Sequence, residues 1–253
     1  MTVFDRSRPT PTQLQSLLRL VWLLAGALML SGCAALSGGT ARDPLEPFNR
    51  SVTRFNDDLD AAFLKPVATA YKEIAPSIVR KGIGNFFGNL GDIWSFVNSV
   101  LQLKPQSAVD NFMRINVNTL FGLWGLIDVA TEMGIDRHSE DFGQTLGRWG
   151  VPAGPYIVLP VLGPSTVRDT LAFGADLTGD LTRRVEPKSD RYLLYSLQAI
   201  ELRASLLRAG SVLDEAALDK YTFLRDVFLQ RRRAEIFDGN PPEEEPAPEE
   251  TAK

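Results

Sequence analysis

The chain has 253 residues, 44% of them hydrophobic and 23% charged, with a formal net charge of −4, an ordinary globular composition long enough for one sizeable core. A single cysteine, Cys33, and a single histidine, His138, exclude an internal disulfide framework and a zinc site of several thiolates, and they weaken triad chemistry.

The first element is the apolar run Leu20 to Leu30, LVWLLAGALML, preceded by Arg19. It is too short to span a bilayer and has the length of the h-region of a secretory signal. Leu30-Ser31-Gly32-Cys33 follows directly and resembles the lipobox at which bacterial lipoproteins are cleaved and acylated. Acylation at Cys33 would anchor the mature chain durably, since each buried CH₂ contributes about 0.8 kcal/mol. Ala34 stands where many Gram-negative lipoproteins carry an inner-membrane retention aspartate, which points to the outer membrane facing the periplasm. Ser37 to Arg42 reads as a tether.

Asp43 with Pro44 and Glu46 predicts an N-cap and first turn. From there Leu45, Phe48, Val52, Phe55, Leu59 and Phe63 recur at intervals of three and four, giving a strongly amphipathic helix. Between Gly82 and Leu103 the only charge is Asp92, and apolar residues fall on more than one face, as in a core helix or one touching lipid. Gly82, Gly84, Gly88 and Gly91 predict two short helices meeting near 88–91, with tips at a membrane interface and Arg80, Lys81 and Lys104 snorkelling outward. A buried hairpin of a soluble helical domain is the plain alternative. The segment 105–129 continues as a helix carrying Val109, Phe112, Met113, Ile115, Val117, Leu120 and Phe121. Trp94, Trp124 and Trp149 all lie in these uncharged zones.

His138-Ser139-Glu140-Asp141 gathers hydrolase residue types, but the spacing reads better as a helix entry with Ser139 as cap. Asp57, Asp58 and Asp60 lack the glycine and closing glutamate of a calcium loop, and the glycine pairs at 82–91 lack the lysine of a phosphate loop. The uncharged stretch 149–167, WGVPAGPYIVLPVLGPSTV, is broken by glycine and proline throughout, so it cannot be a helix. Only Tyr156 to Leu159 could be extended. Irregular backbone at membrane depth is tolerated where protein buries it or where it lines a water-filled cavity, so this loop is expected to face a cavity. Two further helices are predicted. One is capped by Asp190, carries Leu193, Leu197, Ile200, Ala204 and Leu207, and stops at Gly210; the other runs from Asp219 to about Ile236 with Leu224, Val227 and Phe228 inward. The tail from Asp238 holds six acids and one lysine, is proline-rich, and is expected to be disordered. Without that tail the chain is nearly neutral, so no nucleic-acid partner is expected.

The domain reading is therefore a signal peptide at 1–32, a lipidated tether at 33–42, a helical domain at 43–237 and an acidic tail at 238–253. Asp43-Pro44-Leu45-Glu46-Pro47-Phe48-Asn49-Arg50 after the lipobox, Asn85-Phe86-Phe87-Gly88-Asn89-Leu90, Arg114-Ile115-Asn116-Val117-Asn118-Thr119, Ile127-Asp128-Val129-Ala130, and Phe142-Gly143-Gln144-Thr145-Leu146-Gly147 through Gly154-Pro155-Tyr156 to Arg168-Asp169 together resemble the MlaA (VacJ) outer-membrane lipoproteins. The resemblance implies an all-α, ring-like arrangement of amphipathic and interfacial helices with a Gly/Pro-rich apolar loop, lying in the periplasmic leaflet around an amphipathic channel. It further implies that misplaced outer-leaflet phospholipids pass through that channel, that a trimeric porin holds the ring, that the periplasmic lipid carrier MlaC receives the lipid, and that no cofactor takes part. By the family motif Phe48 and Asn49 belong near the channel. The loop of Gly150, Pro152, Gly154, Pro155, Tyr156, Leu159 and Pro160 is expected to control it. A phospholipid hydrolase and a porin-bound structural lipoprotein are the alternatives.

Overall fold

The computed structural model describes residues 43–216 and 218–242. The expected signal peptide, the lipid-attachment Cys33, the tether and most of the acidic tail lie outside the described residues. The chain divides after Ser51 into two compact units.

Helix α1 (Glu46–Leu59) begins two residues later than the Asp43 cap predicts. Pro47 suits its first turn, where no amide partner is needed. Asp43 is buried and serves a different purpose: its backbone carbonyl accepts from the Glu46 amide at 3.3 Å, and its carboxylate accepts from the side-chain amide of Asn49 at 3.5 Å. A π-helical turn at Asp60–Leu64 leads into α2 (Lys65–Ile74). Pro66 has no N–H to donate and would crowd the carbonyl a turn back, and the widened turn before it accommodates both faults. Helix α2 ends at Ala75, which the following Pro76 drives into extended backbone.

Helices α3 (Ser77–Leu101) and α4 (Pro105–Phe121) pack along each other as an antiparallel hairpin. The expected break at 88–91 does not occur: α3 is one 25-residue helix. Interior glycines cost about 1 kcal/mol each relative to alanine, and continuous pairing with α4 outweighs that. Gly88 also makes room, because a Cβ there would lie 2.5 Å from the Arg137 guanidinium. Lys104 does not snorkel; it is buried and bonded to Glu140 at 2.9 Å and Asp238 at 2.7 Å.

A short α5 (Val129–Glu132) is capped by Asp128, and α6 (Phe142–Arg148) is capped by Asp141, not Ser139. The cap moved because Glu140 is drawn into the α3–α4 hairpin, where its amide donates to the Ser95 hydroxyl. The segment Tyr156–Leu159 is extended as expected, but as β1 of an antiparallel hairpin with β2 (Gly163–Thr166), in register from Tyr156 opposite Thr166 to Leu159 opposite Gly163. Tyr156 and Val158 point inward to Tyr221, Val52, Phe228 and Leu229. Helix α7 (Val167–Gly179) follows, then a 3₁₀ turn (Leu181–Arg184). Helix α8 (Lys188–Ala216) passes through Gly210 without stopping and packs on α2 and α3. Helix α9 (Lys220–Ile236) has the expected bounds to within one residue, is capped by Asp219 and packs on α6. Of its expected inward residues Val227 is exposed, whereas Phe228 packs on Tyr156. Apart from the hairpin the fold is helical.

Candidate functional site

The seam between α3 and α4 is polar. The buried positions of α3 include Asn89, Asp92, Ser95, Asn98 and Ser99, and those of α4 include Ser107, Asn111, Arg114 and Asn118. These recur at helical spacing, so each helix turns a polar stripe toward the other. The outward stripe of α4 is Val109, Phe112, Met113, Leu120 and Phe121, all exposed. Among all buried residues described, polar ones outnumber apolar ones, the reverse of a water-soluble domain. An arrangement that hides hydrogen-bonding groups and displays hydrocarbon suits a surrounding less polar than its own interior.

The polar interior is hydrogen-bonded throughout most of its length. Arg114, 1% exposed, donates from Nε to Asp92 at 3.4 Å, from Nη1 to Thr131 and to the Ile135 carbonyl, and from Nη2 to both oxygens of Asp128 at 2.8 Å. Burial pushes the Asp92 carboxyl up against the pull of Arg137 and Arg114. Burial also works to raise Asp128, but hydrogen bonds from Thr131, Arg114 and Asn118 prevail and hold it down at about 2. One level along the hairpin, Gln102 and Lys104 donate to the two oxygens of Glu140, and Thr145 donates to Asn98. Asn111 donates to the His138 carbonyl and accepts from its amide, which pins 138–140 into the hairpin. The His138 ring meets Asp110 at 3.1 Å. The residues at 138–141 are thereby tied into the hairpin as a structural strap.

A third cluster joins α6, α7 and α9. Arg232 donates to both oxygens of Asp141 at 2.6 Å and to Asp169 at 2.9 Å. Burial would lower its pKa, but those two carboxylates raise it, and burial likewise fails to keep Asp169 from being lowered by Arg232 and Arg168. Gly143 lets this cluster close, since a Cβ there would lie 2.5 Å from both Arg232 and Asp169. Asp176 takes the Trp94 indole N–H and the Phe142 amide on one oxygen, each at 2.8 Å, and burial raises its pKa despite them.

Three cavities converge on this cluster. One of about 230 Å³ is lined by Phe87, Trp94, Ser139, Asp176, Thr182 and Gln198. A second of about 230 Å³ is lined by Ser139, Asp141, Gln144, Phe228 and Arg232. The third, about 260 Å³, is lined by Leu159, Leu162, Phe173, Asp141, Asp176 and Arg232. Ser139, Asp141, Asp176 and Arg232 are each shared between two of them. Every wall combines apolar surface with charge, which suits an amphiphile, and each cavity falls below the roughly 300–1,000 Å³ of a closed small-molecule pocket.

The loop residues expected from sequence separate into two groups. Gly150 and Gly154 sit at φ 91° and 69°, left-handed values that glycine adopts freely, and Pro152 and Pro155 are exposed beside them. Tyr156 belongs to the packed core, Leu159 lines the third cavity, and Pro160 is exposed at the hairpin tip. The tip is held from α1, where Asn56 donates to the Leu159 carbonyl at 3.0 Å and accepts from the Val161 amide at 2.7 Å. Phe48 is exposed on α1, and Asn49 is fully buried. Arg114, Asp128, Asp169 and Arg232 were not singled out as site residues by sequence; Asp92 was noted only as the lone charge of 82–103, and Asp141 only within the run 138–141. Their signal is that Arg114 and Asp128 bracket an uncharged run, and that Asp92 is the only charge in another.

The family model described as "MlaA lipoprotein" matches residues 41–235. The chain is 38% identical over 223 residues to the intermembrane phospholipid transport system lipoprotein MlaA of Shigella flexneri, covering 85% of this chain and 87% of that protein. It is 37% identical over 226 residues to the protein of that description from Escherichia coli (strain K12), with the same shares covered. It is also similar to a structure solved in work on the structural basis for maintenance of bacterial outer membrane lipid asymmetry. The TM-score is 0.67 at 36% identity, over 78% of this chain and 99% of that chain.

Proposed function

Since the chain belongs to the MlaA lipoprotein family, we propose that it removes misplaced phospholipids from the outer leaflet of the outer membrane and passes them, chemically intact, to a soluble periplasmic carrier. The observation that carries this is the inverted burial of the α3–α4 hairpin, polar within and apolar without. Among the described residues no helix is long and apolar enough to cross a membrane, which agrees with residence in a single leaflet held by acylation at Cys33. A trimeric porin as scaffold and MlaC as acceptor belong to the same proposal.

In this mechanism headgroups move along the charged walls around Asp141, Asp176 and Arg232 while acyl chains stay against Phe87, Leu159, Leu162 and Phe173. The cavities are too small for a whole phospholipid as they stand, so passage requires opening. The segment with the freedom to open is 150–155, where Gly150 and Gly154 permit backbone change and the hairpin beyond is tied by Asn56. Membrane depth tolerates such irregular backbone beside a polar cavity. No bond is made or broken, and His138 serves the fold.

The test uses cells lacking the chain. Outer-leaflet phospholipid should rise, return to normal with the full chain or with His138→Ala, and stay high with Cys33→Ala. Unchanged outer-leaflet phospholipid on deletion would sink the proposal, and lysophospholipid that appears only with an intact His138 would replace it with hydrolysis.

A further inference from the structure

The first of the three cavities, about 230 Å³, is walled by the end of α7 and by α3, with Asp176, Gly179 and Asp180 on one side and Phe87 and Trp94 on the other. Asp176 and Gly179 stand three residues apart and so share a helix face. A Cβ on Gly179 would lie 2.1 Å from the Trp94 ring, so only glycine lets the indole close on the α7 backbone. The indole N–H then donates to Asp176 Oδ1, which also accepts from the Phe142 amide, each at 2.8 Å. Oδ2 is left over: among the described residues no donor bonds to it and no lysine or arginine pairs with it. Glu140, in the same wall, is committed to Lys104 and Gln102. Asp180 accepts from the Thr182 amide and the Tyr195 hydroxyl but has no cation as partner among the described residues. None of the described lining residues is a lysine or an arginine, and the negative end of the α7 dipole lies at this wall too. A carboxylate so placed is costly until a cation joins it, in keeping with the upward push that burial gives Asp176.

We propose that this cavity binds the ammonium group of a phospholipid headgroup, and so makes the chain favour phosphatidylethanolamine over phosphatidylglycerol. A divalent metal ion requires six or more oxygen ligands, whereas much of this wall is indole and hydrocarbon. A primary ammonium has three donors; Asp176 Oδ2 is open to one, Ser139 and Thr182 line the same wall, and an indole attracts a cation over its face. The neighbouring cavity identifies the rest of the ligand. Ser139 lines it as well, and there Arg231 and Arg232 present guanidinium groups, which suit a phosphate. An ammonium site beside a phosphate site fits a zwitterionic headgroup, and a glycerol headgroup brings nothing for Asp176 to bind. This inference rests on the transport reading for the lipid as cargo and adds which headgroup is preferred.

The test places the acylated chain, wild type or Asp176→Asn, in vesicles of phosphatidylethanolamine, N-acetylphosphatidylethanolamine and phosphatidylglycerol in equal parts. The lipid delivered to a soluble lipid-binding carrier is then identified by headgroup. Asparagine keeps the oxygen that accepts from Trp94 and Phe142 but removes the charge, and the helical circular-dichroism spectrum reports whether the fold survives. The ratio of phosphatidylethanolamine to phosphatidylglycerol delivered should be at least about 10-fold higher for the wild type than for the variant, a comparison in which any preference of the carrier cancels. The N-acetyl lipid, which lacks the ammonium, should follow phosphatidylglycerol. A ratio unchanged by Asp176→Asn in folded protein would overturn the ammonium site and leave transport standing. So would N-acetyl lipid that the wild type delivers as readily as phosphatidylethanolamine, a comparison that decides alone if the variant unfolds. Wild-type chain that delivers none of these lipids would overturn the transport reading, and this inference with it.

Discussion

Replacing Arg114 with methionine removes the donor that ties α3, α4 and α5 together. The side chain is 1% exposed, and its loss leaves Asp128 without its two 2.8 Å bonds and Asp92 with Arg137 as its remaining cation at 3.0 Å. Taking one partner from a buried ion pair costs about 3–5 kcal/mol, because the charge left behind is neither solvated nor compensated. A helical body of this size loses about 2–4 °C of Tm per kcal/mol, so unfolding in detergent, followed by circular dichroism, should begin about 6–20 °C lower. Arg114→Lys keeps the charge but not the planar fork and should fall between the two. A shift under about 2 °C for the methionine variant would mean that water reaches this network, and the argument for a dry polar interior would fail.

Acid should act through Asp128. Its folded value of about 2 lies below the roughly 3.9 of an unfolded aspartate, so the unfolded chain binds this proton first. The stabilisation is present in full above about pH 4 and is lost as pH falls through about 2; Asp128→Asn should flatten that part of a Tm-against-pH curve, and an unaltered curve would refute the assignment. Asn56→Ala releases the hairpin tip from α1 and should raise the protease sensitivity of 159–163 and change lipid flux while the helical spectrum stays constant. Equal cleavage rates in the two proteins would show that Asn56 does not restrain the tip.

Most helices were legible because their signals are local: the apolar spacing from Leu45 to Phe63 marks α1, and Asp219 marks the start of α9. The α3 break was misread because a glycine's cost is small beside tertiary pairing that no single segment displays. The second strand was missed since Gly163-Pro164-Ser165-Thr166 has little strand propensity and is held by its register with Tyr156–Leu159. The larger omission was the polar seam. The reading of 105–129 followed its apolar residues, of which Phe112, Met113 and Leu120 face outward while Val117 is buried. The opposite stripe, Ser107, Asn111, Arg114 and Asn118, was equally periodic and carries the interior. The cluster of Asp141, Asp169 and Arg232 spans 91 residues of chain, and such pairings come into view only with the fold.

The account depends on intact phospholipid passing through this chain. Vesicles holding the acylated protein and a phospholipid labelled in both headgroup and acyl chain should deliver both labels, in equal proportion, to a soluble lipid-binding carrier, and vesicles without the protein should deliver neither. Correctly inserted protein that transfers no lipid, or transfers one label without the other, would contradict it.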